Sequence, residues 1–143
     1  MSTRSSFAFA ITALTALCVA TAAPAQASQT VSTAETNKAY RMDAARAVYK
    51  THADQIYKGK LPPLVHAIVV LEVDVDSTGK VQHVNMIRVP THAPDVTARV
   101  KGMVEQMAMP VPTRMASGAK FTEVWLVDKS GRFQLDALTE GQR

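Results

Sequence analysis

One stretch, residues 61–89, restricts the fold more than any other, because it predicts two strands joined by a tight turn. Odd-numbered residues in 65–75 are all apolar, while the even-numbered ones change from largely apolar to acidic toward the turn. Alternate residues of a strand face opposite sides of a sheet. One face of the hairpin is therefore apolar throughout and the other only in its first half. Gly79 supplies the positive φ that such turns use.

The pairing of the two strands can be chosen by asking which residues would face each other. A two-residue turn at 78–79 opposes Val73 with Val84 and Asp74 with His83, which places like with like on each face. A one-residue slip would move His83 onto the apolar face. We therefore predict the first register.

Toward the open end of the hairpin, the same register pairs Ile68 with Val89 and Val70 with Ile87. The outer face is therefore apolar at this end, and we expect another element to cover it. The candidate cover is a weakly amphipathic helix, which Thr36 or Asn37 caps and which runs to about residue 56.

A second helix is predicted to begin near Asp95, with apolar residues at 96, 100, 103, 104 and 107 on one side. The residue pattern predicts a third strand over residues 121–128 and a short fourth strand over residues 132–135. This order predicts an α+β fold. It has a small antiparallel sheet, the hairpin plus one or two C-terminal strands, packed against one helix, with an additional N-terminal helix.

The first 27 residues have the pattern of a secretory signal peptide. Arg4 is the only charged residue among them, residues 7–23 are apolar with interspersed threonine, and Ala25-Gln26-Ala27 fits an A-x-A cleavage site. We expect cleavage after Ala27 and a secreted product. A retained segment would instead anchor the chain, since it approaches the length of a membrane span.

The predicted cleavage also restricts the chemistry of the remaining chain. It removes Cys18, the only cysteine, which excludes a disulfide, a thiolate metal site and a cysteine nucleophile. The 15 basic and 12 acidic residues that remain are scattered, so no nucleic-acid partner is predicted. We divide the chain into a signal peptide (1–27), a disordered lead-in (28–37), an α+β domain (38–136) and a polar tail (137–143).

No catalytic constellation is visible in the sequence. The predicted register puts His66 and His83 at opposite ends of the hairpin, so they cannot share a metal ion. Carboxylates along one strand could hold a cation, but we interpret this row as the solvated half of a strand. We therefore predict no enzymatic activity, no cofactor and no metal. The residues considered are His52, His66, His83, His92, Glu72, Asp74 and Asp76.

The order of motifs over residues 61–128 resembles the C-terminal domain of TonB-family proteins. The segments that carry the resemblance are IVVLEVDVDSTGKVQHVNMIRVP, a helix with an apolar stripe, MPVP and FTEVWLV. Leu61-Pro62-Pro63 stands where the family has Tyr-Pro. The resemblance implies a periplasmic domain of a Gram-negative bacterium. In transducing members, this domain pairs by strand addition with a segment of an outer-membrane receptor.

An exposed sheet edge can accept an extended peptide as an added strand. The resemblance therefore implies a module that binds an envelope protein or peptide by edge-strand pairing, linked to transport across the envelope. Sheets of this kind can also pair as a homodimer. By position, the family's docking strand corresponds to Phe121, Thr122, Glu123, Val124, Trp125, Leu126 and Val127.

The segment before the first helix bears on the mode of action. About ten polar residues reach roughly 35 Å when fully extended, so we expect a soluble module that does not span the periplasm. Two alternatives stay open. One is an inner-membrane-anchored, shortened energy transducer, and the other is a small metal-binding protein or enzyme.

Overall fold

The computed structural model describes residues 28–142, so the predicted signal peptide lies outside the described residues. The described part has an α+β fold, as predicted. The elements in chain order are β1 (Val31–Ser32), α1 (Asn37–Thr51), β2 (Ala67–Val75), β3 (Val81–Arg88), α2 (Pro94–Glu105), β4 (Val111–Pro112), β5 (Ala119–Val127) and β6 (Phe133–Leu135). Two 3₁₀ turns, Ala53–Gln55 and Asp136–Leu138, follow α1 and β6.

The main sheet has four strands in the order β3-β2-β5-β6, and every neighbouring pair is antiparallel. A separate two-stranded sheet joins β1 and β4 in parallel. The two longest strands, β2 and β5, lie in the middle. Both bury every second side chain fully, which suits strands that carry a helical layer on one face.

The hairpin register is confirmed over its central part. Val73 faces Val84 and Asp74 faces His83. The prediction is wrong at both ends, where β3 has an irregularity in its pairing. Near the turn, the loop between the two strands has three residues, 77–79, and the last of them, Gly79, has a φ of 83°. Toward the open end, Val70 faces Arg88 and not the predicted partner one residue earlier, because β3 bulges there.

Both helices pack on the same face of the sheet, so the predicted role of the first helix is wrong. The Tyr40 ring of α1 lies 5.8 Å from the Phe121 ring of β5, centroid to centroid. The buried side chains of α1 and α2 meet in one core with alternate residues of β2 and β5. The continuous apolar face offers more apolar area than the half-apolar outer face, so both helices settle there.

The predicted start of α1 is confirmed. Thr36 is the N-cap, and its hydroxyl accepts a hydrogen bond from the Ala39 N–H at 3.2 Å. The helix ends at Thr51, earlier than expected, and a 3₁₀ turn continues the chain. In residues 28–142, neither helix has the length and apolar character that crossing a membrane requires.

The predicted disordered lead-in is wrong for most of its length. β1 pairs with β4, and Ser32 is 1% exposed. The Ser32 hydroxyl donates to the Asp43 carboxylate at 2.7 Å, and the Gln29 amide donates to the Thr78 carbonyl at 2.8 Å. Hydrogen bonds to residues far along the chain thus order this polar segment.

The predicted polar tail is also part of the folded unit. The Leu61 N–H donates to the Gly141 carbonyl at 2.9 Å, and Leu61 and Gln142 form a parallel bridge. Residue 134, buried in β6, anchors the tail through its side-chain amide. Residues 136–142 therefore run parallel to the segment that precedes β2.

Candidate functional site

The strand predicted to dock a partner is not an edge of the sheet. Residues 121–127 belong to β5, which pairs with β2 along its whole length and with β6 at Trp125, Leu126 and Val127. The side chains of Phe121, Glu123, Trp125 and Val127 are buried, and those of Thr122, Val124 and Leu126 lie on the outer face. The chain's own β6 thus takes the place where an added strand would lie.

The part of β5 beyond β6 is capped by side chains. The Lys120 N–H donates to the Asn37 side-chain oxygen, and the Val124 N–H donates to the Glu123 carboxylate, both at 3.0 Å. By the strand alternation these two amides point away from β2, as the Thr122 N–H between them does, so two of the three amides that an added strand would need here are occupied. The edge-strand prediction fails here because Asn37 comes from the first turn of α1, a long-range placement.

The outer edge of β6 is covered as well. Ile56 forms a parallel bridge with Phe133, and the Tyr57 N–H donates to the Phe133 carbonyl at 2.8 Å. The Tyr49 hydroxyl accepts the Leu135 N–H at 3.1 Å. The Phe133 carbonyl and the Leu135 N–H, which β6 presents outward, are therefore occupied.

The other edge of the sheet, β3, is the open one. Among residues 28–142, β3 pairs only with β2, and a bridge from Lys80 to Ala108 stands just before the strand begins. Most β3 side chains are exposed, while Val84 is buried under the helices. An edge of this kind presents unpaired backbone groups to other chains.

The hydrogen-bond pattern shows which groups of β3 point outward. Every second residue of β2 directs its backbone N–H and C=O groups toward β3. Asp76 belongs to the same alternating set, because its N–H donates to the Lys80 carbonyl, just before β3, at 2.9 Å. By the same alternation, Glu72 and its partner Asn85 exchange hydrogen bonds. The N–H and C=O groups of Val84 and Met86 therefore point away from the sheet.

Two irregularities limit this open segment. The pairing shifts by one residue between Asp74 and Val75 and again between Val70 and Leu71. Bulges at an edge twist it and discourage long pairing with other chains. The regular part of the β3 edge is therefore only residues 83–86.

A cleft opens at the far end of β3. It has a volume of about 350 Å³. Beside it, Ile87 and Val89 are 55% and 46% exposed. The outer face of the sheet continues this apolar surface with half-buried Ile68 and Val70. The predicted apolar end of the outer face thus exists, and no helix of the described residues packs over it.

The carboxylates of the acidic row, Glu72, Asp74 and Asp76, have their ion-pair and hydrogen-bond partners within the protein. The Lys120 ammonium lies 3.1 Å from Asp74 and 3.5 Å from Glu72, and its hydrogen bond to Asp74 is the main reason that its pKa is raised. The Asp76 carboxylate instead accepts hydrogen bonds from the turn. The row therefore stabilises the sheet, as a partly solvated strand face.

The predicted separation of His66 and His83 is confirmed, since His83 faces Asp74 near the turn and His66 precedes β2 at the open end. His66 and His92 share one end of the hairpin, with their ring centroids 5.5 Å apart and the rings nearly perpendicular. Within residues 28–142, no three His, Cys, Asp or Glu residues could hold a metal ion. No pattern in the sequence indicated this pair, because the loop after β3 brings His92 back to the chain just before β2.

The chain was compared with known proteins in three ways, and no family model, curated protein or solved structure matches it.

Proposed function

We propose that this chain is a periplasmic protein-binding domain that takes up an extended segment of an envelope protein as an added strand on β3. The observation that carries the proposal is the open β3 edge, where the backbone groups of Val84 and Met86 point outward. The resemblance to TonB C-terminal domains supports the mode of binding. The occupied edge of β5 moves the docking position to the opposite side of the sheet.

The free energy of backbone pairing at β3 can be compared with the cost of association. Val84 and Met86 offer two N–H donors and two C=O acceptors. Each net hydrogen bond contributes about 0.5–1.5 kcal/mol, so four of them give about 4 kcal/mol. Association costs an estimated 4–15 kcal/mol. Backbone pairing alone therefore does not hold a partner, and side-chain contacts near the edge must supply the rest.

A proline at Met86 tests the backbone pairing directly. The Met86 N–H points away from β2, so Met86→Pro removes an outward donor and keeps the bonds to β2. Met86→Ala is the matched control, because it removes the same half-buried side chain and keeps the N–H. Both variants are first checked for folding by circular dichroism and thermal unfolding.

The readout is crosslinking and capture of partners in the periplasm with each variant as bait. We expect the alanine variant to capture the same envelope protein as the wild type, and the proline variant to lose it. Equal capture by a folded proline variant would refute strand addition at β3. It would leave the outer apolar face as the surface to examine.

The proposed location has its own test. Cleavage after Ala27 predicts that protein released from the periplasm begins at Ser28. Protein that stays with the inner membrane and keeps residues 1–27 would instead support the alternative of an anchored, shortened transducer. N-terminal sequencing of both fractions separates the two.

A further inference from the structure

The cleft at the end of the β3 edge combines an apolar wall with one cationic side chain, Arg88. Its wall is aliphatic, and its rim carries Arg88 and two histidines. Among residues 28–142, the nine that line it include no acidic residue. They are Val65, His66, Ala67, Ile68, Arg88, Val89, Pro90, Thr91 and His92. The cleft is thus suited to a ligand that is apolar and negatively charged at once.

Arg88 is available to such a ligand. Its side chain is exposed, and within residues 28–142 it takes part in none of the ion pairs. Arg41 and Arg46, in contrast, contact carboxylates of the protein itself. A guanidinium binds a carboxylate through two parallel hydrogen bonds, which gives both strength and direction.

The walls of the cleft are fixed before a ligand binds. His92 Nε2 lies 2.7 Å from the His66 carbonyl oxygen. A carbonyl oxygen only accepts, so Nε2 carries the proton and donates it. This bond and the edge contact between the two rings tie the loop after β3 to the chain just before β2. A preformed cleft reduces the ordering cost of binding.

The surroundings of the cleft are unusually apolar for an exposed region. Of the four large hydrophobic side chains that are exposed in residues 28–142, three lie in the chain segments around this end of the hairpin. They are Leu64 (84%), Ile87 (55%) and Val89 (46%). Exposed apolar groups that cluster beside a polar rim are typical of interaction sites.

We infer that the cleft selects an acidic residue and an aliphatic residue two positions away from it, on the same face of the partner segment that pairs with β3. The inference rests on the proposed function, because a strand added at Val84 and Met86 continues past Ile87 to Arg88. The partner carboxylate binds the Arg88 guanidinium, and the aliphatic side chain two residues away lies against Val89. Backbone pairing then supplies the strand, and the cleft supplies the specificity.

The test uses a display library of random twelve-residue peptides, selected on the protein purified from the periplasm. We expect the selected peptides to be enriched in Asp or Glu two positions away from Leu, Ile or Val. Arg88→Gln should weaken the binding of these peptides about tenfold or more, since a hydrogen bond to a charged group is among the strong ones. Arg132→Gln is the matched control, because it removes the same charge from an exposed position near the β5–β6 turn and should leave the affinity unchanged.

The other outcomes are distinguishable. Peptides that bind without any acidic preference, or that bind Arg88→Gln as well as Arg132→Gln, would overturn the inference. The proposed function would survive if Met86→Pro still abolished their binding. If no selected peptide depends on the Met86 N–H, both proposals fail. Binding of phosphatidylglycerol vesicles that depends on Arg88, with no peptide binding, would overturn the peptide assignment.

Discussion

The Arg41 guanidinium and the Glu123 carboxylate form a two-pronged ion pair across 82 residues of sequence. Arg41 Nη2 lies 2.7 Å from Glu123 Oε1, and Nε lies 3.3 Å from Oε2. The Glu123 side chain is 3% exposed and also accepts the N–H groups of Val124 and Ala137. The hydrogen bond to Glu123 is the main reason that the pKa of Arg41 is raised. A buried carboxylate is tolerated because several donors surround it.

Arg41→Ala should lower the free energy of unfolding by about 3 kcal/mol, because it leaves a buried carboxylate without its cation. Adding Glu123→Gln to this variant should restore about 1 kcal/mol, since the amide carries no charge to bury. Urea denaturation near neutral pH measures both. Arg46→Ala is the control, because its partner Asp43 is three residues away on the same exposed helix face. It should cost less than about 0.5 kcal/mol. An equal loss in both alanine variants would contradict a special role for the buried pair.

Asp76 fixes the turn of the hairpin. Its carboxylate accepts the Thr78 hydroxyl at 2.6 Å, the Thr78 and Lys80 N–H groups at 2.8 and 3.0 Å, and the Gln82 amide at 2.6 Å. These hydrogen bonds, that of the Thr78 hydroxyl most, lower the pKa of Asp76 to about 2. The ionised carboxylate thus stabilises the folded hairpin more than it stabilises the unfolded chain.

The sign of the pH dependence follows from this shift. The contribution of Asp76 is present above the unfolded pKa of about 4 and is lost as the pH falls toward about 2. Asp76→Asn should therefore lower the melting temperature at pH 7, and the difference from wild type should close between pH 4 and 2. Thermal unfolding across this range measures it. Asp54→Asn, at an exposed position, should show no such convergence.

Local patterns in the sequence predicted local structure well. The alternation in 65–75 gave the central register of the hairpin, because a slip would have exposed every apolar side chain. Thr36 was identified as a cap, and the apolar stripe of α2 as its buried face, since both depend on residues within two helical turns. Each of these features involves partners that are close in sequence or that share one strand.

Long-range contacts account for what the sequence did not predict. The pairing of Arg41 with Glu123 was not predicted, because Glu123 comes from a strand 82 residues later. β5 was interpreted as an edge, since the side-chain cap from Asn37 is invisible in a strand pattern. The pairing of His66 with His92 depends on the path of a loop. The cleft beside Arg88 could therefore be found only in the folded structure.

Gly102 offers a position where the protein can be stabilised. It lies inside α2, and a Cβ added there meets no atom within 4 Å, because it points into a groove between α2 and the end of α1. Gly102→Ala should raise the stability by about 1 kcal/mol, the difference in helix propensity. This corresponds to about 4 °C in melting temperature.

Gly79→Ala provides the contrast. Its φ is +83°, and a Cβ there would collide with the Met109 carbonyl oxygen. Differential scanning calorimetry should show a lower melting temperature for this variant and a higher one for Gly102→Ala. A lower value for Gly102→Ala would mean that the groove closes in solution.

The buried amide of Gln134 joins three segments of the chain. Its nitrogen donates to the Tyr57 and Gly59 carbonyls at 2.8 and 2.6 Å. Its oxygen accepts the Thr139 hydroxyl at 3.0 Å and the Glu140 N–H at 3.3 Å. All four hydrogen-bonding positions of the side chain are thus used, and β6 holds both the tail and the segment before β2.

Gln134→Leu should destabilise the protein by about 2–3 kcal/mol, because it leaves partners of the amide unsatisfied. Amide hydrogen exchange gives the sharper readout. The Leu61 N–H, bonded to the Gly141 carbonyl at 2.9 Å, should lose protection as the tail is released, while amides in the centre of β2 should exchange only as fast as global unfolding allows. Gln134→Glu separates the two halves of the contact, since it keeps the acceptor for residues 139 and 140 and loses the donors to Tyr57 and Gly59. If Leu61 stays protected in Gln134→Leu, the bridge between Leu61 and Gln142 holds the tail without the amide.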